Sequence, residues 1–281
     1  MTTDYEIFNL GNFELQSGTD LIDGKLAYKT YGELNQDGSN VVVLPTFYTG
    51  SHMRNEGFFG PGRAIDPARH FVVSVNMFGN GISSSPSNSQ HPQHGADFPQ
   101  ITLFDNIRAQ YRLLTEKLGV RQIALVTGWS MAGCQSFQWG AQYPNFVRAI
   151  LPFCASAKTS EHNIVFLEGV KAALTADSAY NNGNYQDQPT KGLKAFGRVY
   201  AGWAYSQTFY REQMYRQLGF NSVEELLQDW ERDHLDWDAN DLLCKLKTWQ
   251  LGDISAQPAY GGNFVAALNA IQAKTIVIVC D

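Results

Sequence analysis

Apolar runs and amphipathic stretches alternate along much of the chain. Continuous runs of β-branched and aromatic residues predict buried strands at 70–77, 122–127 and 147–153. Helical spacing of apolar positions predicts helices over 105–118, with Asp105 in a capping position, and over 130–143. Strands without polar alternation that are followed by helices are typical of an α/β fold, with a mostly parallel sheet and helices on both faces.

The pattern changes in the second half of the chain. Further strands are predicted at 5–15, 25–34, 40–45 and 275–280, but 157–252 is dominated by helical patterns rich in Trp, Tyr and Phe. We therefore predict a core formed by 1–156 and 253–281 and a helical cap inserted at 157–252. Such a cap would lie over the carboxyl ends of the strands, where open α/β sheets bind ligands.

The composition and net charge argue against several classes of protein, among them disordered and nucleic-acid-binding proteins. The chain is 44% hydrophobic and only 17% charged, against about 25% charged in an average globular domain, so a folded core is expected. A formal net charge of −6 argues against binding to a phosphate backbone. Neither a secretion signal nor an apolar run near the ~18 residues of a membrane span is visible, so we expect a cytoplasmic protein with a small-molecule substrate and neither membrane nor nucleic-acid partners.

The four cysteines, Cys134, Cys154, Cys244 and Cys280, show no zinc-like spacing and no C-x-x-C pair. We expect them to be reduced core residues, and we expect no metal.

The segment Gly128-Trp-Ser-Met-Ala-Gly133 follows a predicted strand and opens a predicted helix. This pattern is typical of a nucleophile elbow, in which a strained turn holds a serine hydroxyl clear of the sheet. The turn crowds the chain, so the positions two before and two after Ser130 must be small, as Gly128 and Ala132 are. The helix N-terminus supplies backbone N–H groups for a developing oxyanion, and the amide of Met131 is the first candidate donor.

Several segments in order resemble the homoserine O-acetyltransferase family of the α/β-hydrolase fold. They are 40–50, 60–66, 71–76, 98–110 and the elbow at 128–133. The resemblance covers about 35–155 well, is looser through the predicted cap, and resumes at 267–281. It implies an α/β-hydrolase fold and a two-step acyl transfer in which Ser130 forms an acyl-serine.

The resemblance also implies roles for two further residues. Tyr48 falls at the family position whose backbone amide completes the oxyanion hole, and Arg198 lies near the position of an arginine that binds the substrate carboxylate. The family usually has His-Ala-Leu-Thr-Gly in the first loop, whereas this chain has Thr46-Phe-Tyr-Thr-Gly50, and two aromatic side chains would reshape the pocket. Acyl-CoA is implied as a co-substrate with no bound cofactor, and a homodimer through the cap is a further expectation.

A serine nucleophile needs a base and an orienting acid, which in this fold follow it in the order acid, then histidine. Asp281 follows the final predicted strand and is the candidate acid, although the acid could equally lie one or two positions later. The chain's histidines are His52, His70, His91, His94, His162 and His234, and none follows Asp281. We therefore expect that the last strand and helix are missing through C-terminal truncation and that this form is weak or inactive. His52, near the oxyanion loop, is the first candidate for a substitute base.

Three functions remain open from the sequence. The preferred hypothesis is a serine-dependent acyltransferase that transfers an acyl group from acyl-CoA to a small hydroxyl substrate. The first alternative is an ester or thioester hydrolase of the same fold, which differs in giving the acyl group to water. The second is an inactive or non-catalytic protein on the same fold.

Overall fold

Seven strands form one sheet in the computed structural model, which describes residues 4–280. They are β1 (Glu6–Glu14), β2 (Asp20–Tyr31), β3 (Val41–Pro45), β4 (Phe71–Val75), β5 (Leu125–Trp129), β6 (Ala149–Phe153) and β7 (Lys274–Thr275). Their order across the sheet is β1-β2-β4-β3-β5-β6-β7. The pairs from β4 to β7 are parallel, whereas β1 pairs antiparallel with β2 and β2 with β4. The mostly parallel sheet is therefore confirmed.

The central strand β3 is buried on both faces. Val41 and Val43 belong to the main core, while Val42 and Leu44 pack in a second cluster with Phe59 on the opposite face. Because neither face meets water, the strand needs no polar alternation. This explains why its sequence is a continuous apolar run.

Nine α-helices occur among the described residues: α1 (His52–Asn55), α2 (Leu103–Arg112), α3 (Met131–Gln142), α4 (Glu161–Thr175), α5 (Thr190–Ala204), α6 (Gln207–Arg211), α7 (Val223–Leu235), α8 (Ala239–Gln250) and α9 (Phe264–Asn269). Helices α4 to α8 fill most of the region predicted to be a cap. Within 4–280, none of the helices has the length and apolar character needed to cross a membrane.

The start of α2 differs from the prediction. Thr102, rather than Asp105, is the N-cap, and the Asp105 carboxylate accepts a hydrogen bond from the Thr102 backbone N–H at 2.9 Å. Thr102 Oγ1 in turn accepts from the Asp105 N–H, which completes a reciprocal capping box. Asp105 does take part in capping the start of the helix, as predicted. The N-cap itself lies three residues earlier, at Thr102, because Asp105 is the second partner of the capping box.

The helical region enters and leaves the core at one place. The Thr159 N–H donates to the Gly252 carbonyl at 2.7 Å, and the Ile254 N–H donates to the Ala157 carbonyl at 3.1 Å. Lys158 and Asp253 pair at 2.9 Å beside these bonds. The two ends of the helical region are thus held together next to the boundaries predicted at 157 and 252.

The final strand is shorter than predicted. Regular pairing of β7 with β6 ends at Thr275, and an isolated bridge then joins Ile278 to Phe153. The Cys154 N–H donates to the Ile278 carbonyl at 2.8 Å, which holds the last described residues beside the end of β6.

Candidate active site

Ser130 lies at a strained turn between β5 and α3. Its backbone has φ 54° and ψ −128°, a conformation that non-glycine residues rarely adopt and that costs of order 1–3 kcal/mol. The turn is held in place because the Ser130 N–H donates to the Phe153 carbonyl at 3.0 Å and the Ser130 carbonyl accepts from Cys134 N–H at 3.1 Å. This is the geometry predicted for a nucleophile elbow.

The small residues around Ser130 are required by space. A Cβ atom at Gly128 would lie 2.5 Å from the Cβ of Ala132, and one at Gly133 would lie 2.5 Å from the Cβ of Ala155. Real Cβ atoms do not approach this closely, so any side chain at either glycine would displace β5, α3 or the end of β6.

A cavity of about 390 Å³ opens beside Ser130. Most of its wall is aromatic: Phe47, Tyr48 and Trp129 come from the core, and Phe166, Tyr200, Trp203, Tyr205, Trp230 and Trp249 come from the helical region. The other lining residues are Thr49, Ser130, Cys154, Asn163, Ala204, His234 and Cys280. Among these described residues there is no Asp, Glu, Lys or Arg.

The two residues predicted as oxyanion donors lie in the same part of the structure as Ser130. Tyr48 lines the same cavity, and Met131 is the first residue of α3, directly after the nucleophile. Between residues 4 and 280, neither backbone N–H is engaged with an acceptor. Free amides beside a helix N-terminus, with its partial positive charge, suit a developing negative charge.

The loop that carries Tyr48 is attached to helix α8. The Tyr48 hydroxyl donates to the Leu242 carbonyl at 2.8 Å, and Lys245 Nζ donates to the Tyr48 carbonyl at 2.5 Å. Sequence reasoning missed Lys245, because 197 positions separate it from Tyr48. Its position within an amphipathic helix gives no sign that it is buried.

The structure corrects the choice of histidine. His52 is buried away from the cavity lining, with Nε2 3.0 Å from an Asp4 oxygen and Nδ1 3.1 Å from Asn76 Nδ2. His234 lines the cavity instead. Its Nδ1 carries the proton, since it lies 2.8 Å from the Trp230 carbonyl, and burial lowers the pKa of the ring. Of these two histidines, the structure therefore places His234 and not His52 in the cavity that Ser130 lines.

Arg198 is engaged elsewhere. Its guanidinium pairs with Glu224 at 2.6 Å and also with Glu231, and it is not among the residues that line the cavity. These two acids raise the pKa of the guanidinium still further. The geometry gives no support to the predicted binding of a substrate carboxylate by Arg198, because its Nε donates to Glu231 and both of its terminal nitrogens donate to Glu224.

Asp281, the predicted acid, lies outside the described residues. The residue before it, Cys280, lines the cavity together with Ser130 and Cys154. Within 4–280, no group of three or more His, Cys, Asp or Glu side chains is arranged to hold a metal ion.

Known proteins resemble this chain in sequence and structure. The α/β-hydrolase fold family matches residues 40–242. An ethyl acetate hydrolase from Pseudomonas veronii is 34% identical over 98% of this chain and 79% of its own length. A homoserine O-acetyltransferase from Chlorobium chlorochromatii is 34% identical over 86% of this chain and 72% of its own. The solved structure of the acetyl esterase MekB superposes with a TM-score of 0.94 at 34% identity, over 97% of this chain and 80% of that one.

The family match spans well over half of the chain and includes the strained serine that follows β5. A homoserine O-acetyltransferase is among the relatives, as the sequence resemblance implied. The ethyl acetate hydrolase, however, aligns over a larger share of this chain. The chain belongs to the α/β-hydrolase fold family of enzymes.

Proposed function

We propose that this chain hydrolyses short-chain carboxylic esters, such as acetate esters, through an acyl-enzyme on Ser130. The observation that carries the proposal is that the described residues lining the cavity are mostly aromatic and include no Asp, Glu, Lys or Arg. Homoserine brings both a carboxylate and an ammonium group, and removing unpaired charges from water costs several kcal/mol per ion. A neutral ester escapes that cost, and the aromatic rings favour its apolar groups.

The relatives support the same choice. By their names, one relative hydrolyses ethyl acetate and the other is an acetyl esterase. A cavity of about 390 Å³ lies at the small end of the range for ligand sites, which suits a short acyl group. Acyl transfer to homoserine is the second candidate function, because one of the relatives is a homoserine O-acetyltransferase.

The proposed reaction has two halves. The Ser130 oxygen attacks the ester carbonyl carbon while a general base, not assigned to any residue between 4 and 280, takes the hydroxyl proton. The resulting oxyanion is stabilised by the amides of Tyr48 and Met131. Collapse of this intermediate breaks the ester C–O bond, releases the alcohol with that proton and leaves the acyl-serine. Water then attacks the acyl-serine by the same route and releases the carboxylic acid.

The first test compares two acyl acceptors. The chain is expressed from its complete reading frame and assayed with ethyl acetate and p-nitrophenyl acetate, and separately with acetyl-CoA and homoserine. We expect steady hydrolysis of both esters and no O-acetylhomoserine above the uncatalysed background. Acetylation of homoserine that is faster than ester hydrolysis would overturn the proposal in favour of the acyltransferase.

Arg198 provides a second test. Arg198→Met is expected to change kcat/KM for ethyl acetate by less than about twofold, because the guanidinium lies outside the cavity lining and binds Glu224 and Glu231. Arg232→Met is the matched control, since Arg232 also makes a surface ion pair in this region, with Asp229. A large rise in KM for Arg198→Met alone would return Arg198 to the substrate site.

A further inference from the structure

We propose that Lys245 is a positioning residue for the oxyanion hole, and that it acts by holding the carbonyl of Tyr48 from helix α8. This inference rests on the proposed function, in which the Tyr48 amide is one of the two oxyanion donors. Lys245 itself does not line the cavity and does not touch the reacting atoms.

Two bonds hold Tyr48 to α8. Lys245 Nζ donates to the Tyr48 carbonyl oxygen at 2.5 Å, and the Tyr48 hydroxyl donates to the Leu242 carbonyl at 2.8 Å. Leu242 and Lys245 are three positions apart and so share one face of the helix. The backbone and the ring of Tyr48 are therefore held by the same surface.

The loop itself is a tight turn. The Gly50 N–H donates to the Phe47 carbonyl at 2.9 Å, and a Cβ at Gly50 would lie 2.8 Å from the Phe47 nitrogen. The amide and carbonyl of Tyr48 share one Cα within this turn, so fixing the carbonyl restrains the direction of the amide. An oxyanion donor must lie about 2.7–3.1 Å from the developing charge, and small displacements are costly to the rate.

The stability of the fold does not explain why a lysine occupies position 245. Lys245 is fully buried, and among the described residues no carboxylate lies within ion-pair distance of its ammonium. Besides the Tyr48 carbonyl, the ring of Trp237 stabilises the charge, with Nζ 3.7 Å from the ring centre, and Asp241 and Asp233 attract the ammonium at longer range. Burial lowers the pKa of Lys245 to about 7, which reflects the cost of keeping a charge there. A buried methionine would avoid that cost but could not reach the Tyr48 carbonyl with a hydrogen-bond donor.

The test is Lys245→Met in the p-nitrophenyl acetate assay, with Lys247→Met as the matched control on the exposed side of the same helix. We expect kcat to fall by about 10- to 100-fold with KM changed less than about twofold, because the loss is confined to transition-state stabilisation. A trifluoromethyl ketone, which forms a tetrahedral oxyanion with the serine, should lose affinity by a similar factor. Lys245→Arg keeps a donor and should recover part of the loss, and Lys247→Met should match the original chain.

The outcomes separate the two proposals. A folded Lys245→Met variant with unchanged kcat and unchanged affinity for the ketone overturns the positioning role. If the original chain hydrolyses no ester, the proposed function fails. The rate at which a fluorophosphonate labels Ser130 can still be compared between the variants, since that reaction also develops charge on an oxygen.

If Lys245→Met does not fold, the variants Lys245→Arg and Tyr48→Phe test the positioning role instead. The positioning role predicts an intermediate loss of kcat in each of these two variants. The role is overturned if both variants are as active as the original chain.

Discussion

Replacement of Ser130 by alanine is expected to abolish ester hydrolysis, with a fall in kcat/KM of at least about 10³-fold. The reason is chemical, because Ser130 supplies the hydroxyl at the turn before α3, where φ is 54° and, among the described residues, the Met131 N–H has no acceptor. Labelling by a fluorophosphonate should disappear as well, and mass spectrometry of the labelled chain should place the adduct on Ser130. The fold should survive, since alanine is smaller and leaves the backbone bonds of the turn in place.

Ser136→Ala is the matched control for this experiment. Ser136 is a buried serine on α3, the helix that follows Ser130, and its hydroxyl donates to the Ala132 carbonyl at 3.0 Å. Its loss should leave labelling and kcat close to those of the original chain. Labelling that persists in Ser130→Ala at the original rate would show that another residue is the nucleophile.

Gly128→Ala is expected to have the second largest effect. One added methyl group would lie 2.5 Å from the Cβ of Ala132 and 3.3 Å from its carbonyl carbon. Neither neighbour is a flexible chain end, so β5 and α3 must move apart, at a cost of about 1–3 kcal/mol in the free energy of unfolding. Because Ser130 lies between them, we also expect kcat to fall at least about tenfold. Urea unfolding and the p-nitrophenyl acetate assay measure the two effects.

The control is the same substitution where there is room for it. Gly169 is exposed in the middle of α4, and a Cβ there would have no heavy atom within 4 Å. Gly169→Ala should raise the free energy of unfolding by up to about 1 kcal/mol, since alanine favours the helix, with kcat unaffected. Equal stability and activity in Gly128→Ala would contradict the steric account of the elbow.

The core and the strained turn at Ser130 were predictable because their signals are local. The strands β3 to β6 are buried on both faces or nearly so, and this leaves continuous apolar runs that a reader of the sequence can see. The elbow is also local, since the clash that excludes side chains at Gly128 involves a residue only four positions away.

The rest of the site depends on contacts between distant parts of the chain. His234 reaches the cavity, and Lys245 reaches the Tyr48 carbonyl, only because the helical region folds back onto the core. The ion pairs of Arg198 could not be predicted for the same reason, because Glu224 and Glu231 lie on a different helix and their approach has no signature in the local sequence. Periodicity shows which residues share a face of a helix, but not what that face meets.

The attachment of the Tyr48 loop to α8 has a consequence for how substrate enters. A cap that moved away from the core as a rigid lid would break the contacts of Lys245 and Leu242 with Tyr48 and would disturb the proposed oxyanion hole at each opening. The enzyme would then have to rebuild its catalytic geometry in every turnover. These contacts favour a cap that stays in place, so that the proposed ester substrates enter past the aromatic side chains that line the cavity while α8 does not move. Turnover in such an enzyme should be limited by the size of the ester rather than by the opening rate of a domain.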